Sequence, residues 1–337
     1  MTFWANRIDS NKQTETGNKM DRIFLIGAGN LGSRHLQGLC LLPYKTHITL
    51  VDPSEQSLAT AVSRAKEVDP KSRHEIDCLK DISDMASNYD FGIIATSSNV
   101  RFNVLKQLET KKVKVPYIVL EKVLFQNIDE LAGAEAILQN LGSKAWVNCP
   151  RRLSPSYQNL KKKLQNKKWK SFNVTGNDWG LGSNTIHFLD LFQFLSGDTL
   201  KTMDTSGLEP EIFPASRPGF VEFYGVLSGL SRGGVQYIIN CSHFPQDIVV
   251  RIETIDGVFE INESKKIIKS PQGEESFDME NQSGLTHKIW EELKNDQSSV
   301  LTTYSESKEL HWRFLSQLSM FYSALDKTHK TKSLPIT

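Results

Sequence analysis

Three glycines near the start of the chain have the type and spacing of a phosphate-binding turn. Gly27, Gly29 and Gly32 form a G-x-G-x-x-G pattern directly after the apolar run at residues 22–26. The first glycine of such a pattern allows a tight turn, the second lets the backbone approach a pyrophosphate, and the third lets helix and strand pack closely. The N–H groups of the helix predicted at residues 31–42 then face the phosphates. We expect a dinucleotide to contact the whole turn: Gly27, Ala28, Gly29, Asn30, Leu31 and Gly32.

An acidic residue follows at the distance that a dinucleotide site requires. Asp52 ends a second predicted strand at residues 47–51, and it lies about twenty residues after the last glycine. A carboxylate at this position holds the ribose hydroxyls of NAD and repels the 2′-phosphate of NADP. Because no arginine follows directly at residues 53–56, the sequence predicts NAD as the cofactor in preference to NADP.

Two later apolar runs, at residues 91–95 and 117–120, end in polar side chains. In an open α/β sheet, ligands bind beyond the carboxyl ends of the strands. We therefore expect the cofactor to contact Thr96, Ser97, Ser98, Glu121 and Lys122. A lysine held against a nicotinamide and partly removed from water has a lowered pKa, so Lys122 can exchange a proton with a substrate hydroxyl as hydride moves. The alternative interpretation of the Glu-Lys pair is an ordinary surface pair.

A second group of candidate residues lies on an apolar helix that follows a glycine-containing loop at residues 180–182. Ser183 or Asn184 fits the N-cap position of this helix, and both are candidate substrate contacts. His187 and Asp190 are three residues apart, so they share a face of the helix. We expect His187 to hydrogen-bond the reacting oxygen and Asp190 to fix the tautomer of His187. The alternative is a histidine that only packs in the core.

Three further side chains are candidates for substrate binding. Arg151 and Arg152 follow the predicted strand at residues 145–149. One interpretation is that both arginines bind a carboxylate or phosphate of the substrate. The alternative is that they form a surface pair at the domain junction. Trp179 suits stacking on a sugar ring, or else filling of the core.

Composition argues against several classes of protein. The chain has 337 residues, of which 39% are hydrophobic and 23% are charged, with a net charge of +1. These values are typical of a two-domain globular protein with no nucleic-acid partner, although residues 161–170 are rich in lysine. No apolar run has the length of a membrane span. The start of the chain lacks a secretory pattern, and the cysteines lack metal-ligand spacing, so we expect a cytoplasmic protein with no bound metal.

The order of the predicted elements indicates two domains after a leader. Residues 1–20 are polar and mixed, and we expect them to be a disordered leader. Residues 21–149 alternate apolar runs with helical patterns, which predicts a Rossmann domain with a doubly wound parallel sheet. A basic helical connector is predicted at residues 151–170, and strand-like runs with turn signals follow it. We therefore expect residues 150–337 to form an α+β domain with a mainly antiparallel sheet.

These motifs resemble those of the glucose–fructose oxidoreductase / inositol dehydrogenase / rhizopine-catabolism (Gfo/Idh/MocA) family of oxidoreductases. The order and spacing of the motifs match over most of residues 21–330. The matching pieces are the glycine pattern at residues 27–32, Glu121-Lys122 where the family has Glu-Lys-Pro, and Gly182, His187 and Asp190, which are similar to its Gly-rich loop and Asp-x-x-x-His-x-x-Asp stretch. The resemblance implies a Rossmann domain followed by a sheet domain, a nicotinamide cofactor, and an active site with Lys122 and His187. It also implies a homodimer or homotetramer assembled through the second sheet.

Two positions depart from the family pattern. Val123 stands where the family has a proline that usually follows a cis peptide bond. Ser183 stands where the family has an aspartate four residues before the histidine. A serine carries no negative charge, so position 183 cannot supply the acid of a proton relay.

Together these residues predict an NAD(H)-dependent oxidoreductase. The expected substrate is a secondary alcohol or ketone of a sugar, a sugar acid or a nucleotide-linked sugar, with Lys122 as the proton-exchange residue. One alternative is an NAD(P)H-dependent reductase of an imine or a conjugated double bond, a reaction that depends less on an acid at position 183. Another is a catalytically idle subunit that binds NAD.

Overall fold

Parallel strands and helices alternate in the first half of the chain, as the apolar runs predicted. The computed structural model describes residues 20–326 and 333–337, so nearly all of the expected leader lies outside the described residues. The first sheet contains β1 (Asp21–Ile26), β2 (Thr46–Val51), β3 (Glu75–Leu79), β4 (Phe91–Ile94), β5 (Tyr117–Leu120), β6 (Lys144–Val147) and β17 (Thr302–Thr303). Its helices are α1 (Asn30–Leu39), α2 (Glu55–Val68), α3 (Ser98–Thr110) and α4 (Asp129–Asn140).

The strand order of the first sheet creates a crevice beside the glycine turn. The order is β17-β6-β5-β4-β1-β2-β3, and every pair is parallel except β17 with β6. Strand β2 lies on one side of β1 and β4 lies on the other, so the direction in which strands are added reverses at β1. Ligands of doubly wound sheets bind at such a reversal. The Rossmann-type sheet predicted from the sequence is therefore confirmed.

The second sheet has eight strands and is mainly antiparallel, also as predicted. Its order is β16-β15-β14-β13-β7-β12-β11-β8, and β7 with β12 is its parallel pair. The strands are β7 (Trp169–Asn177), β8 (Leu200–Leu208), β11 (Gly225–Ser231), β12 (Gln236–Ser242), β13 (Val249–Thr254), β14 (Gly257–Asn262), β15 (Ile267–Ser270) and β16 (Gly273–Ser276). A separate two-stranded ribbon joins β9 (Phe213–Pro214) and β10 (Val221–Glu222). The remaining helices are α5 (Pro155–Leu164), α6 (Leu181–Ser196), α7 (Thr286–Asp296) and α8 (Tyr304–Leu325).

The connector predicted as one helix at residues 151–170 is wrong over its second part. Helix α5 ends at Leu164, and Asn166 then adopts a left-handed backbone with φ of 65°. Strand β7 begins at Trp169 and lies in the middle of the second sheet. Its buried residues Phe172 and Val174 alternate with partly exposed ones, which is the two-residue period of a strand.

Residues late in the chain complete the first sheet. Helix α7 packs beside α1, and its Trp290 stacks on Phe91 of β4 with ring centroids 5.1 Å apart. The indole N–H of Trp290 donates to Asp21 at the start of β1 at 2.9 Å. Strands β1 to β6 thus lie in the first sheet and β7 in the second, while β17 and α7 from later in the chain join the first sheet.

The last residues of the chain connect the two halves next to the crevice. Leu334 and Ile336 are fully buried. The Leu334 N–H donates to the Gln126 carbonyl at 2.9 Å, and the Val221 N–H of β10 donates to the Pro335 carbonyl at 2.8 Å. This segment therefore fixes β10 against the first domain. No helix in the described part of the chain combines the length and apolar character needed to cross a membrane.

Candidate active site

The glycine turn has one position that opens toward a ligand and two that the fold itself requires. Gly27 has φ of +100°, and a Cβ there would lie 2.8 Å from the Ala95 backbone. A Cβ at Gly32 would lie 1.8 Å from the Gly27 carbonyl oxygen. At Gly29, by contrast, a Cβ would meet nothing within 4 Å. The open space at Gly29, in front of the first N–H groups of α1, fits a pyrophosphate.

Asp52 lies beside this turn at the end of β2. Its carboxylate accepts the Ala28 N–H at 2.8 Å and the Ser54 N–H at 2.9 Å. A cavity of about 260 Å³ adjoins it, with Val51, Asp52, Ile82, Thr96, Val100 and Val104 among its lining residues. A cavity with both apolar and polar side chains next to a fixed carboxylate fits the adenosine half of NAD.

Of the polar residues after β4, Thr96 lines the same cavity as Asp52, and the fully buried Ser98 does not contact it. Ser97 is the N-cap residue of α3. Ser98 is fully buried, and its hydroxyl donates to the Ile336 carbonyl. The hydroxyl oxygen of Thr96 is buried without a hydrogen-bond partner among the described residues. A buried polar atom of this kind needs a partner, so Thr96 suits contact with a ligand.

Two side chains that the sequence analysis missed hold the turn after β5. The fully buried Arg101 of α3 donates to the backbone carbonyls of Thr96, Val123 and Leu124. The Leu124 N–H donates to Nε2 of the buried His311 at 3.1 Å. The Lys122–Val123 peptide bond in this turn is cis. Sequence spacing carries no signal for either contact, because only the folded chain brings α3 and α8 to this turn.

Glu121 points away from the crevice, which corrects the expectation that it contacts the cofactor. Its carboxylate is 3% exposed and lies 2.8 Å from Nε2 of His35 in α1. It also accepts a hydrogen bond from Asn148 at 2.5 Å. Burial opposes ionisation of Glu121, but His35 and Asn148 together hold its pKa below the usual value. A carboxylate engaged in the interior positions the strand end rather than a ligand.

Lys122 reaches across to the second domain. Its Nζ donates to the Ser183 carbonyl at 3.0 Å and to Oδ1 of Asn184 at 3.1 Å. Burial lowers the pKa of Lys122, while the negative charges of Glu121 and Glu222 act in the opposite direction. The structure therefore places an ammonium of lowered pKa against the first turn of α6.

The N-terminus of α6 is capped differently from the expectation. The helix begins at Leu181 after Gly180, so Ser183 and Asn184 lie inside its first turn rather than at the N-cap. The carboxylate of Glu222 in β10 accepts the Gly182 N–H at 2.6 Å and the Ser183 N–H at 3.2 Å. The Ser183 hydroxyl donates to the same carboxylate. Glu222 lies 39 residues from Ser183 in the sequence, so no local pattern identifies it.

His187 lies one helical turn beyond Ser183 and is half-buried. Its Nδ1 is enclosed and has no hydrogen-bond partner in the described part of the chain. Burial and the nearby charge of Lys122 lower the pKa of His187 well below its usual value. Burial and the Lys122 charge thus both favour the neutral form of the imidazole.

Asp190 does not orient His187, which corrects that expectation. The buried Asp190 carboxylate accepts two hydrogen bonds of 2.8 Å from Arg152. A two-bond arginine–carboxylate pair is stronger than a single contact to a neutral imidazole, so Asp190 turns toward Arg152. Burial raises the pKa of Asp190, although Arg152 opposes that shift.

The arginine pair and Trp179 also differ from the expectations about substrate binding. Arg151 donates two hydrogen bonds of 2.8 Å to Glu263, and Arg152 is occupied by Asp190. Because each guanidinium is already paired, neither is free to clamp an acidic substrate group. Trp179 is 8% exposed, packs edge-on against Phe188 and donates its N–H to the Asn240 carbonyl. It fills the core rather than offering a face for a sugar.

Burial of His311 makes folding stability depend on pH. Burial lowers the pKa of His311 from 6.5 to about 3, so the folded protein keeps this imidazole neutral. Between these pKa values the unfolded chain binds more protons, and the free energy of unfolding therefore falls as the pH falls. We expect His311 to lower it by between about 1 and about 2 kcal/mol from pH 6.5 to pH 5, since the slope approaches roughly 1.4 kcal/mol per unit only below pH 6.5.

Guanidinium chloride unfolding at both pH values measures this difference. The matched variant is His311→Gln, which retains an acceptor for the Leu124 N–H and has no group to protonate. Between pH 6.5 and pH 5, the free energy of unfolding of this variant should fall less than that of the wild type. The difference between the two falls should equal the contribution expected from His311. Equal losses in both proteins would show that His311 is not the source.

Solved structures match this fold across most of the chain. No protein-family model matches the sequence, and a comparison with curated proteins finds no match. A super-repressor mutant of Gal80p from Saccharomyces cerevisiae is 12% identical with a TM-score of 0.70, over 93% of this chain and 100% of that one. An oxidoreductase from Agrobacterium radiobacter in complex with NAD+, L-tartaric acid and magnesium is 14% identical with a TM-score of 0.67, over 91% and 96%.

A third match has both a cofactor and a substrate. Scyllo-inositol dehydrogenase from Lactobacillus casei, with bound NAD(H) and scyllo-inositol, is 14% identical with a TM-score of 0.66, over 91% of this chain and 98% of that one. At identities of this size the likeness is one of fold. Among the described residues, no group of three or more histidine, cysteine or acidic side chains is arranged to hold a metal ion. The chain has the fold of these solved structures, with a Rossmann-type parallel sheet followed by a mainly antiparallel sheet.

Proposed function

We propose that this protein is an NAD(H)-dependent oxidoreductase that acts on a secondary alcohol or ketone of a sugar, a sugar acid or a nucleotide-linked sugar. The observation that carries the proposal is that Lys122, two residues after β5, reaches the first turn of α6, the helix that also carries His187. The L. casei and A. radiobacter enzymes, which have this fold and bind NAD, support it. Neither relative determines which compound this chain would use.

The residues that would hold the cofactor belong to the first domain. The open space at Gly29 and the first N–H groups of α1 would take the pyrophosphate, and Asp52 would accept the ribose hydroxyls. Thr96, which lines the cavity beside Asp52, and Ser97 would border the cofactor, whereas the fully buried Ser98 hydroxyl is bonded to the Ile336 carbonyl instead. When bound, NAD supplies the hydride acceptor, and NADH the donor, of the reaction.

Lys122 and His187 would handle the proton at the substrate oxygen. The amine of Lys122 would accept the hydroxyl proton as the alcohol is oxidised and return it in the reverse direction. Neutral His187 would hydrogen-bond the same oxygen and orient it. Asn184 accepts a hydrogen bond from Lys122 and donates one to the Trp179 carbonyl at 2.7 Å, so its contribution is to position the lysine. Ser183 contributes to the same positioning, because its carbonyl accepts a hydrogen bond from Lys122.

Coenzyme preference and turnover together test this proposal. We expect NADH to bind at least tenfold more tightly than NADPH, since the charge of Asp52 opposes the 2′-phosphate by at least about 1.4 kcal/mol. In the variant Asp52→Ser this preference should shrink, while Asp77→Ser, at an exposed aspartate of β3, should leave it unchanged. Titration by nicotinamide fluorescence measures the affinities, and NADH formation with cyclitols, sugars, sugar acids and nucleotide sugars measures turnover. Equal affinity for both coenzymes in the wild type would contradict the role of Asp52.

A catalytically idle NAD-binding subunit is the second candidate. It is favoured by Ser183, which supplies no acid, and by the likeness to the Gal80p super-repressor mutant. Tight NADH binding with no turnover on any compound of that panel would support this candidate over the enzyme.

Assembly and location also belong to the proposal. The face of the second sheet that is not covered by helices carries half-buried polar residues, such as Ser171, Asn173 and Thr175 of β7. We infer that this face forms a homodimer or homotetramer contact. The four cysteines are free thiols, which supports a cytoplasmic location.

A further inference from the structure

A carboxylate from another part of the fold lies at the first turn of α6. Glu222 accepts backbone N–H groups from Gly182 and Ser183 and the hydroxyl proton of Ser183. The carbonyl of the same Ser183 accepts the ammonium of Lys122 at 3.0 Å. Ser183 of α6 therefore links the candidate proton-exchange lysine to a half-buried acid.

The charge of Glu222 also reaches Lys122 across the first turn of α6. Burial raises the pKa of Glu222, and the bonds from Ser183 and Gly182 together with the charge of Lys122 oppose that shift. The negative charge of Glu222 in turn opposes the lowering of the Lys122 pKa by burial. Helix capping alone does not require a charge, because a neutral oxygen also accepts backbone N–H groups.

The position of Glu222 explains how an active site can work with a serine at position 183. We propose that Glu222 is the positioning residue that supplies the negative charge of this site through Ser183, so that the first turn of α6 needs no acid of its own. This inference rests on the proposed function of Lys122. The charge of Glu222 limits how far burial lowers the pKa of Lys122, and its carboxylate holds the Ser183 hydroxyl in one orientation.

Moving the charge between the two positions tests the proposal. Glu222→Gln retains an oxygen for the N–H groups but removes the charge, so the pKa of Lys122 should fall by about one unit or more. Ser183→Asp puts a second carboxylate against Glu222, and the two acids then repel each other. The double variant Glu222→Gln with Ser183→Asp has one acid again and should return the pKa of Lys122 toward the wild-type value. If Glu222 only packed against the first turn of α6, the double variant would not restore the pKa of Lys122.

The Lys122 pKa is measured without substrate, from the pH dependence of its acylation followed by mass spectrometry. Glu209→Gln, at an exposed acid paired with His243, is the matched control and should leave that pKa unchanged. Thermal unfolding of each variant shows whether it folds. An unchanged Lys122 pKa in folded Glu222→Gln, or a double variant no different from Glu222→Gln alone, would overturn the proposal.

Turnover separates this inference from the proposed function. If the protein oxidises a substrate, the pH dependence of kcat/KM should move in the same order as the Lys122 pKa, lowest in Glu222→Gln and restored in the double variant. A wild type with no turnover but with the expected pKa changes would contradict the enzyme and leave the role of Glu222 intact. Turnover in the wild type with no change of the Lys122 pKa among the variants would support the enzyme and contradict the role of Glu222.

Discussion

The variant Lys122→Ala is expected to lose more than about a hundredfold in turnover, the scale of one acid–base group, while it still binds NADH. The reason is that the Lys122 ammonium is a candidate proton-exchange group whose pKa is lowered by burial. The glycine turn and Asp52, which would hold the cofactor, do not contact this side chain. The loss should therefore fall on kcat rather than on NADH affinity.

The control for this experiment is Lys71→Ala, at an exposed lysine between α2 and β3. It should leave both turnover and NADH affinity unchanged. Stopped-flow measurement of hydride transfer isolates the step from product release. Turnover of Lys122→Ala within a few-fold of the wild type would remove the lysine from the mechanism.

The variant Gly29→Ala is expected to fold like the wild type and to lose NADH affinity. A Cβ at this position meets no protein atom within 4 Å, and the backbone φ of −62° suits alanine. The methyl group would instead occupy the space through which a pyrophosphate approaches the backbone. We expect at least a tenfold weaker Kd, about 1.4 kcal/mol, with an unchanged Tm.

The matched variant Gly32→Ala should fail for a different reason. Its Cβ would lie 1.8 Å from the Gly27 carbonyl oxygen, so helix α1 and the turn must move apart. We expect a loss of more than about 3 kcal/mol in the free energy of unfolding, the upper range for overpacking. Isothermal titration with NADH and thermal unfolding distinguish the two glycines. Wild-type NADH affinity in Gly29→Ala would show that no pyrophosphate lies at this turn.

Most of the first sheet follows from the sequence because its signals are local. A parallel sheet covered on both faces needs continuous apolar runs, and Ile23, Phe24 and Leu25 of β1 are fully buried. The turns at the strand ends must carry glycine or polar residues, which is why Gly27 and Asp52 stand out. Lys122 is a candidate for the same reason, since it lies two residues after the buried strand β5.

Contacts between distant segments were not predictable in this way. Glu222 reaches α6 from β10, and Arg101 reaches the turn after β5 from α3, over separations that leave no pattern in the sequence. Asp190 had two candidate hydrogen-bond partners, His187 and Arg152. The spacing on the helix pointed to His187, but the charge and two-bond geometry of Arg152 gave the stronger pair.

The central claim is that Lys122 and His187 face one reacting carbon held by the dinucleotide at the glycine turn. A crystal structure of the protein with bound NAD+ tests it most directly. We predict the pyrophosphate at Gly29 and the nicotinamide ring beneath α6, with both the Lys122 amine and the His187 imidazole on the side of the ring from which substrate approaches. A nicotinamide bound elsewhere, or with the lysine and the histidine on opposite sides of it, would contradict the account.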